Sequence, residues 1–135
     1  GTPVKDGLIE LLDALDARRV PYAIASSSPM SRIARNFQRS PVDISRFAAV
    51  ASGDMVKRGK PEPDIFLLAA NMLGVKAEEC IVCEDSKNGV EAAKRAGAMA
   101  VMVPDLRPPD GHDRRGLYAL VPSLRDVIAL IPNTK

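Results

Sequence analysis

Tryptophan is absent from this 135-residue chain, histidine occurs once, cysteine twice, and two tyrosines and three phenylalanines supply all the aromatic bulk. A core made from such a set must be packed mainly by aliphatic side chains. Charge of one sign is lacking as well: 19 basic against 17 acidic residues leave a net charge of +2, and the basic positions are scattered. That excludes the electrostatic footprint of a nucleic-acid binder and the basic stripe of a membrane-surface helix. No apolar run approaches the roughly 18 residues a membrane span needs, and the first residues do not read as a secretory leader. The cysteines, Cys80 and Cys83, form a CxxC string. There is no second pair, and the lone His112 stands in a distant polar loop, so zinc and dithiol chemistry lack their ligand sets. Both cysteines are expected to lie in a strand as small buried residues of a cytoplasmic protein. What the chain does have is 46% hydrophobic and 27% charged residues, the composition of one ordinary globular domain, long enough to bury roughly two-thirds of its unfolded surface.

Apolar periodicity divides the chain into alternating elements. Leu8, Leu11, Leu12 and Leu15 predict a helix over 6–18, and a short apolar run at 22–25 predicts a buried strand. Ser28 can cap the next helix with Pro29 in its first turn, and Ile33, Ala34 and Phe37 form its inner face. A strand over 47–51 leads through Ser52-Gly53-Asp54 and Lys60-Pro61-Glu62-Pro63 into a helix that Gly74 ends. A strand over 81–83, a helix capped by Ser86 and running to Gly97, and a strand over 100–103 follow. After a polar loop at 104–116 come a short strand near 119–121 and a helix capped by Ser123, with Leu124, Val127, Ile128 and Ile131 inward. Strands that are apolar throughout, alternating with helices over short loops, predict an α/β fold: a Rossmann-like three-layer sandwich with a mostly parallel sheet.

In such folds ligands bind beyond the carboxyl ends of the strands, and three places there carry chemistry. Ser26-Ser27 offers small hydroxyl and amide donors, although serines before a helix are often only caps. Lys60 is framed by Pro61 and Pro63 on a stiffened loop, which sets it apart from a solvated surface lysine. Glu84 and Asp85 are adjacent carboxylates at the end of a buried strand; they repel each other unless a positive group joins them, and Mg²⁺ is the usual one. No GxGxxG or P-loop pattern follows any strand, which weakens a nucleotide-binding or receiver-like reading.

The strand ending YAIASSS, the GKPEPDIF loop and the run IVCEDSKNGVEAAKRAG, in that order, resemble the second, third and fourth motifs of the haloacid dehalogenase-like superfamily, in its β-phosphoglucomutase-like and sugar-phosphate phosphatase branch. The resemblance implies a Mg²⁺-dependent phosphatase, or a phosphomutase, acting on a small phosphorylated metabolite. It implies that Ser26 hydrogen-bonds the transferring phosphoryl group with help from the Ser27 N–H, that Lys60 neutralises its charge, and that Asp85 with Glu84 holds Mg²⁺.

The first motif of that superfamily, a strand ending in DxDGT that supplies the nucleophilic and acid–base aspartates, does not occur in the sequence. Asp6 is no substitute, because no apolar strand precedes it and no aspartate lies two residues away. The resemblance places the first-motif strand in the middle of the sheet, between the strands ending at Ser26 and at Glu84. Residues 1–135 are therefore expected to be the C-terminal part of a core domain whose first strand and cap lie upstream, or a chain that a partner completes; alone, it would be inactive. The reading from another class is a non-catalytic phosphate- or Mg²⁺-binding module.

Overall fold

The computed structural model describes residues 7–103 and 116–131; Asp6, His112 and most of the 104–116 loop lie outside them. In chain order the elements are α1 (Leu8–Ala17), β1 (Ala23–Ala25), α2 (Met30–Gln38), β2 (Ala49–Ala51), α3 (Asp64–Leu73), β3 (Ile81–Glu84), α4 (Lys87–Ala96), β4 (Met99–Met102) and β5 (Ala119–Leu120). Each predicted element up to β5 is present, within a few residues of the expected ends. Gly74 and Gly97 terminate α3 and α4 in left-handed conformation, at φ 74° and 84°, a geometry glycine adopts without a Cβ penalty.

The last element differs from expectation. Residues Leu124–Leu130 form a 3₁₀ helix, not an α-helix. Its inward face is the expected one, with Leu124, Val127, Ile128 and Ile131 all in one cluster; the pattern of apolar residues therefore does not distinguish the two kinds of helix. Asp126 secures the start, accepting hydrogen bonds from the Ser123 N–H at 3.2 Å and the Ser123 hydroxyl at 3.0 Å.

All strand pairs are parallel, as predicted, but among the described residues they form two sheets: β1–β2, and β3–β4–β5 in that order. Ala25 pairs with Ala51 in the first, and Cys83 with Val101 in the second. Strand alternation distributes the core. Val82, Ala100 and Met102 face a cluster with Ile65, Phe66 and Ala69 of α3 and Val90, Ala92 and Ala93 of α4; this cluster also takes Ala25 and Ala51, so α3 and α4 span both sheets. On the opposite face, Ile81, Cys83, Val101 and Val103 pack with Leu11 of α1 and Leu124 and Val127 of the tail. Three layers result.

Burial runs against the usual order of a parallel sheet. Ala51 of β2 and Val101 of β4 are completely buried, whereas every residue of β1 and β3 is only half-buried. No helix of the described residues is long and apolar enough to cross a membrane.

Candidate active site

The three sequence-predicted places converge. Ser26, Ser27, Lys60, Glu84 and Asp85 line one open cleft of about 750 Å³, together with Ala25, Ser86, Lys87 and Asn88. The cleft lies at the carboxyl ends of β1 and β3, where α/β sheets place their ligands.

Glu84 is the last residue of β3. Counting two residues back, it shares a face with Val82, which packs toward α3 and α4. The carboxylate is thereby brought to Lys60, whose Nζ lies 2.6 Å from its Oε2; both side chains are little exposed, 13% and 11%. The ammonium also stands 5.0 Å from the centroid of the Phe66 ring, a distance at which the ring quadrupole attracts a cation. Thus the positive group joined to Glu84 is Lys60, supplied by the protein itself. Asp85 is exposed at the cleft.

Ser86 performs its predicted capping: its hydroxyl accepts the Gly89 N–H at 3.0 Å and lies 3.3 Å from Glu84 Oε1. Gly89 is buried directly under Glu84, and a Cβ there would overlap the Glu84 carboxylate. Replacing glycine by alanine inside a helix ordinarily stabilises by about 0.5–1 kcal/mol. Here the sign is expected to reverse: Gly89→Ala should lose about 1–3 kcal/mol in urea denaturation, because Glu84 is held by Lys60 and cannot swing away without breaking that pair. A variant as stable as the parent would show that Glu84 moves at no cost.

Ser28 does not cap α2. The N-cap position belongs to Pro29, which has no side-chain hydrogen bond to offer, and the Ser28 N–H donates to Ser26 Oγ at 3.1 Å. The local turn within the serine run takes precedence over the cap, and the Met30 N–H at the helix start is instead met by Asp54 from the loop after β2.

Cys80 precedes β3 and is not part of it, and both cysteines are half-buried. Burial, with the neighbouring Glu84 charge adding to it, pushes the Cys83 thiol up to about 11. It is therefore protonated and unreactive near neutral pH. Among the described residues no three His, Cys, Asp or Glu side chains gather as a metal-binding group. The donors at the cleft, Asp85 and the Lys60-paired Glu84, fit part of a magnesium site: Mg²⁺ commonly takes one or two protein carboxylates and completes its shell with water and substrate oxygens.

Lys87 and Asn88 escaped the sequence reading as cleft residues. Their position in the first turn of the helix that follows Glu84-Asp85 is the signal that could have found them.

The sequence profile of haloacid dehalogenase-like hydrolases matches residues 1–97. A phosphorylated carbohydrates phosphatase from Thermotoga maritima is 41% identical over 92 residues, covering 67% of this chain and 42% of that protein. The β-phosphoglucomutase of Bacillus subtilis is 38% identical over 107 residues, covering 79% of this chain and 46% of that enzyme. Among solved structures, CbbY from Rhodobacter sphaeroides in complex with phosphate is similar at a TM-score of 0.81 and 27% identity, over 91% of this chain and 55% of that one. The chain spans about half the length of these relatives. Since the profile spans the serine loop, the lysine loop and the acidic strand end, and the fold that carries them is shared, the chain belongs to the haloacid dehalogenase-like hydrolase family.

Proposed function

We propose that this chain is the C-terminal part of the core of a Mg²⁺-dependent phosphatase acting on a small phosphorylated sugar. The observation that carries the proposal is the convergence, from two separate sheets, of a fixed lysine, a serine run and a carboxylate pair on one cleft. Phosphoryl transfer consists mostly of positioning and charge stabilisation, and these are the groups it uses.

Each residue's part follows from its contacts. Lys60, held between Glu84 and the Phe66 ring, presents a cation whose place is set before substrate arrives. Ser26 Oγ already accepts the Ser28 N–H, which leaves its O–H to donate to a phosphoryl oxygen. The Ser27 N–H is the proposed second donor. Asp85 would hold Mg²⁺, with Glu84 beside it; the ion would neutralise developing charge on the phosphoryl oxygens. The sugar-phosphate class is supported by the name of the Thermotoga relative, and the Bacillus relative supports a phosphomutase as the second reading.

The nucleophilic aspartate is proposed to lie on a strand between β1 and β3, supplied by the upstream part of the same polypeptide. Supporting this are the absence of a ladder joining the two sheets among the described residues and the half-burial of β1 and β3: an inserted strand would pair their facing edges and cover them. The test is hydrolysis of p-nitrophenyl phosphate with and without Mg²⁺, by this chain alone and by the protein extended upstream. Metal-dependent hydrolysis is expected only from the extended protein. Robust hydrolysis by the 135-residue chain would place the nucleophile within it, and an inactive extended protein that still binds phosphate and Mg²⁺ would favour a binding module.

A further inference from the structure

The loop after β2, Ser52-Gly53-Asp54, has no part in the chemistry proposed above, yet it is built against the serine run. Ser52 is completely buried, the only polar residue so placed among the described residues, and its hydroxyl donates to the Asp54 carboxylate. The same carboxylate accepts the Met30 N–H, the first of α2, at 3.3 Å across 24 residues of sequence. Gly53 donates its N–H to the Ser28 carbonyl at 2.8 Å, and Ser26 donates its own to the Ala51 carbonyl at 2.9 Å. Space is closed too: a Cβ on Gly53 would strike the Ser27 backbone, 2.7 Å from its carbonyl carbon.

Taken together, both ends of the serine run are tied to one loop. Ser26 hangs on the end of β2, Ser28 on Gly53, and the start of α2 on Asp54. A run of three serines followed by proline has no internal cap for its helix, so its conformation depends on a group from outside. The Ser52 hydroxyl holds the Asp54 carboxyl below the usual carboxylate range.

We infer that Ser52, Gly53 and Asp54 are positioning residues that clamp the phosphate-binding serine run from the neighbouring strand, with Asp54 serving as the distant cap of α2. The inference rests on the proposed role of Ser26 and Ser27. It assigns Asp54 no contact with substrate. Its function is to hold the Ser26 hydroxyl and Ser27 amide in one arrangement, so that binding a phosphoryl group requires no ordering of the loop.

Titration of the ¹⁵N-labelled protein extended upstream with inorganic phosphate, followed at the Ser26–Met30 amides, tests it alongside thermal melting. For the parent protein, phosphate-dependent shifts of Ser26 and Ser27 are expected. Asp54→Ala should weaken phosphate binding about five- to tenfold, the loss associated with a helix cap, although it removes a negative charge that by itself would favour the anion. Asp54→Asn keeps an acceptor oxygen for Met30 and Ser52 and should restore binding to within about twofold of the parent. Gly53→Ala should weaken binding at least as much as Asp54→Ala. Unaltered phosphate affinity in Asp54→Ala and Gly53→Ala, with the parent binding normally, would overturn the clamp and leave the Ser26 reading intact. So would losses in Asp54→Ala and Asp54→Asn that merely follow the fraction unfolded. A parent protein whose serine amides ignore phosphate would instead overturn the Ser26 reading, and the clamp with it.

Discussion

Lys60→Ala is expected to lower turnover of the extended enzyme by about 10²–10³-fold, the effect of removing one preorganised charge or donor from a transition state. The structure makes the loss specific. The Lys60 ammonium is already fixed at 2.6 Å from Glu84 and against the Phe66 ring, so it needs no reorganisation when negative charge develops on the phosphoryl oxygens. The same substitution strands Glu84, whose side chain is only 11% exposed. Leaving a largely buried charge without its partner costs about 3–5 kcal/mol. A double-mutant cycle separates the two effects. Lys60→Ala paired with Glu84→Gln should recover most of the stability lost by Lys60→Ala in urea denaturation, because neither charge then remains. Turnover should stay low in both. If the double variant regained activity together with stability, Lys60 would be a structural ion-pair partner and its catalytic assignment would fail.

Asp85→Asn is the second large effect. In the extended enzyme it should cut kcat/KM by about 10²-fold or more and raise the Mg²⁺ concentration needed for half-maximal rate. The stability change should remain within about 1 kcal/mol, as for exposed positions generally, since Asp85 is exposed at the cleft. The isosteric amide keeps the oxygen but loses the charge that a hard divalent ion requires. Rate against Mg²⁺ concentration is the deciding measurement. A wild-type metal profile in Asp85→Asn would remove this residue from the metal site. The contrast with Glu84 is informative: Glu84→Gln is expected to disturb both stability and rate, because its carboxylate is already engaged by Lys60.

Much of this arrangement is legible in the chain. Leu11 and Leu12 mark the buried face of α1, Gly74 and Gly97 mark helix ends, and the apolar run that becomes β3 ends at the carboxylates that line the cleft. Such features depend on neighbours close in sequence, through periodicity and backbone preference. The tail helix was legible in position but not in kind. Its apolar face, Leu124, Val127, Ile128 and Ile131, suits an α-helix as well as the 3₁₀ helix observed, so periodicity alone does not tell the two apart.

The pairing of charges was less legible still. Adjacent carboxylates imply a cation, but whether that cation is a metal or a lysine 24 residues earlier depends on which face of β3 meets the Lys60 loop. The capping of α2 shows the same limit. Ser28 satisfies every local rule for a cap, yet its amide turns back to Ser26, and Asp54 takes the helix start. Local hydrogen bonds compete with one another on nearly equal terms, so a third group brought in by the fold can decide the outcome.

By itself, then, the sequence determined the alternation of strands and helices and the identity of the residues beyond the strand ends, because each depends on residue type and short-range spacing. Only the tertiary structure decided that Lys60 is the partner of Glu84, that Gly89 must stay small beneath it, that the serine run is held from β2, and that the described strands form two sheets. Those outcomes depend on which surfaces α3 and α4 bring together, and packing between distant segments leaves no periodic trace in the chain that encodes it.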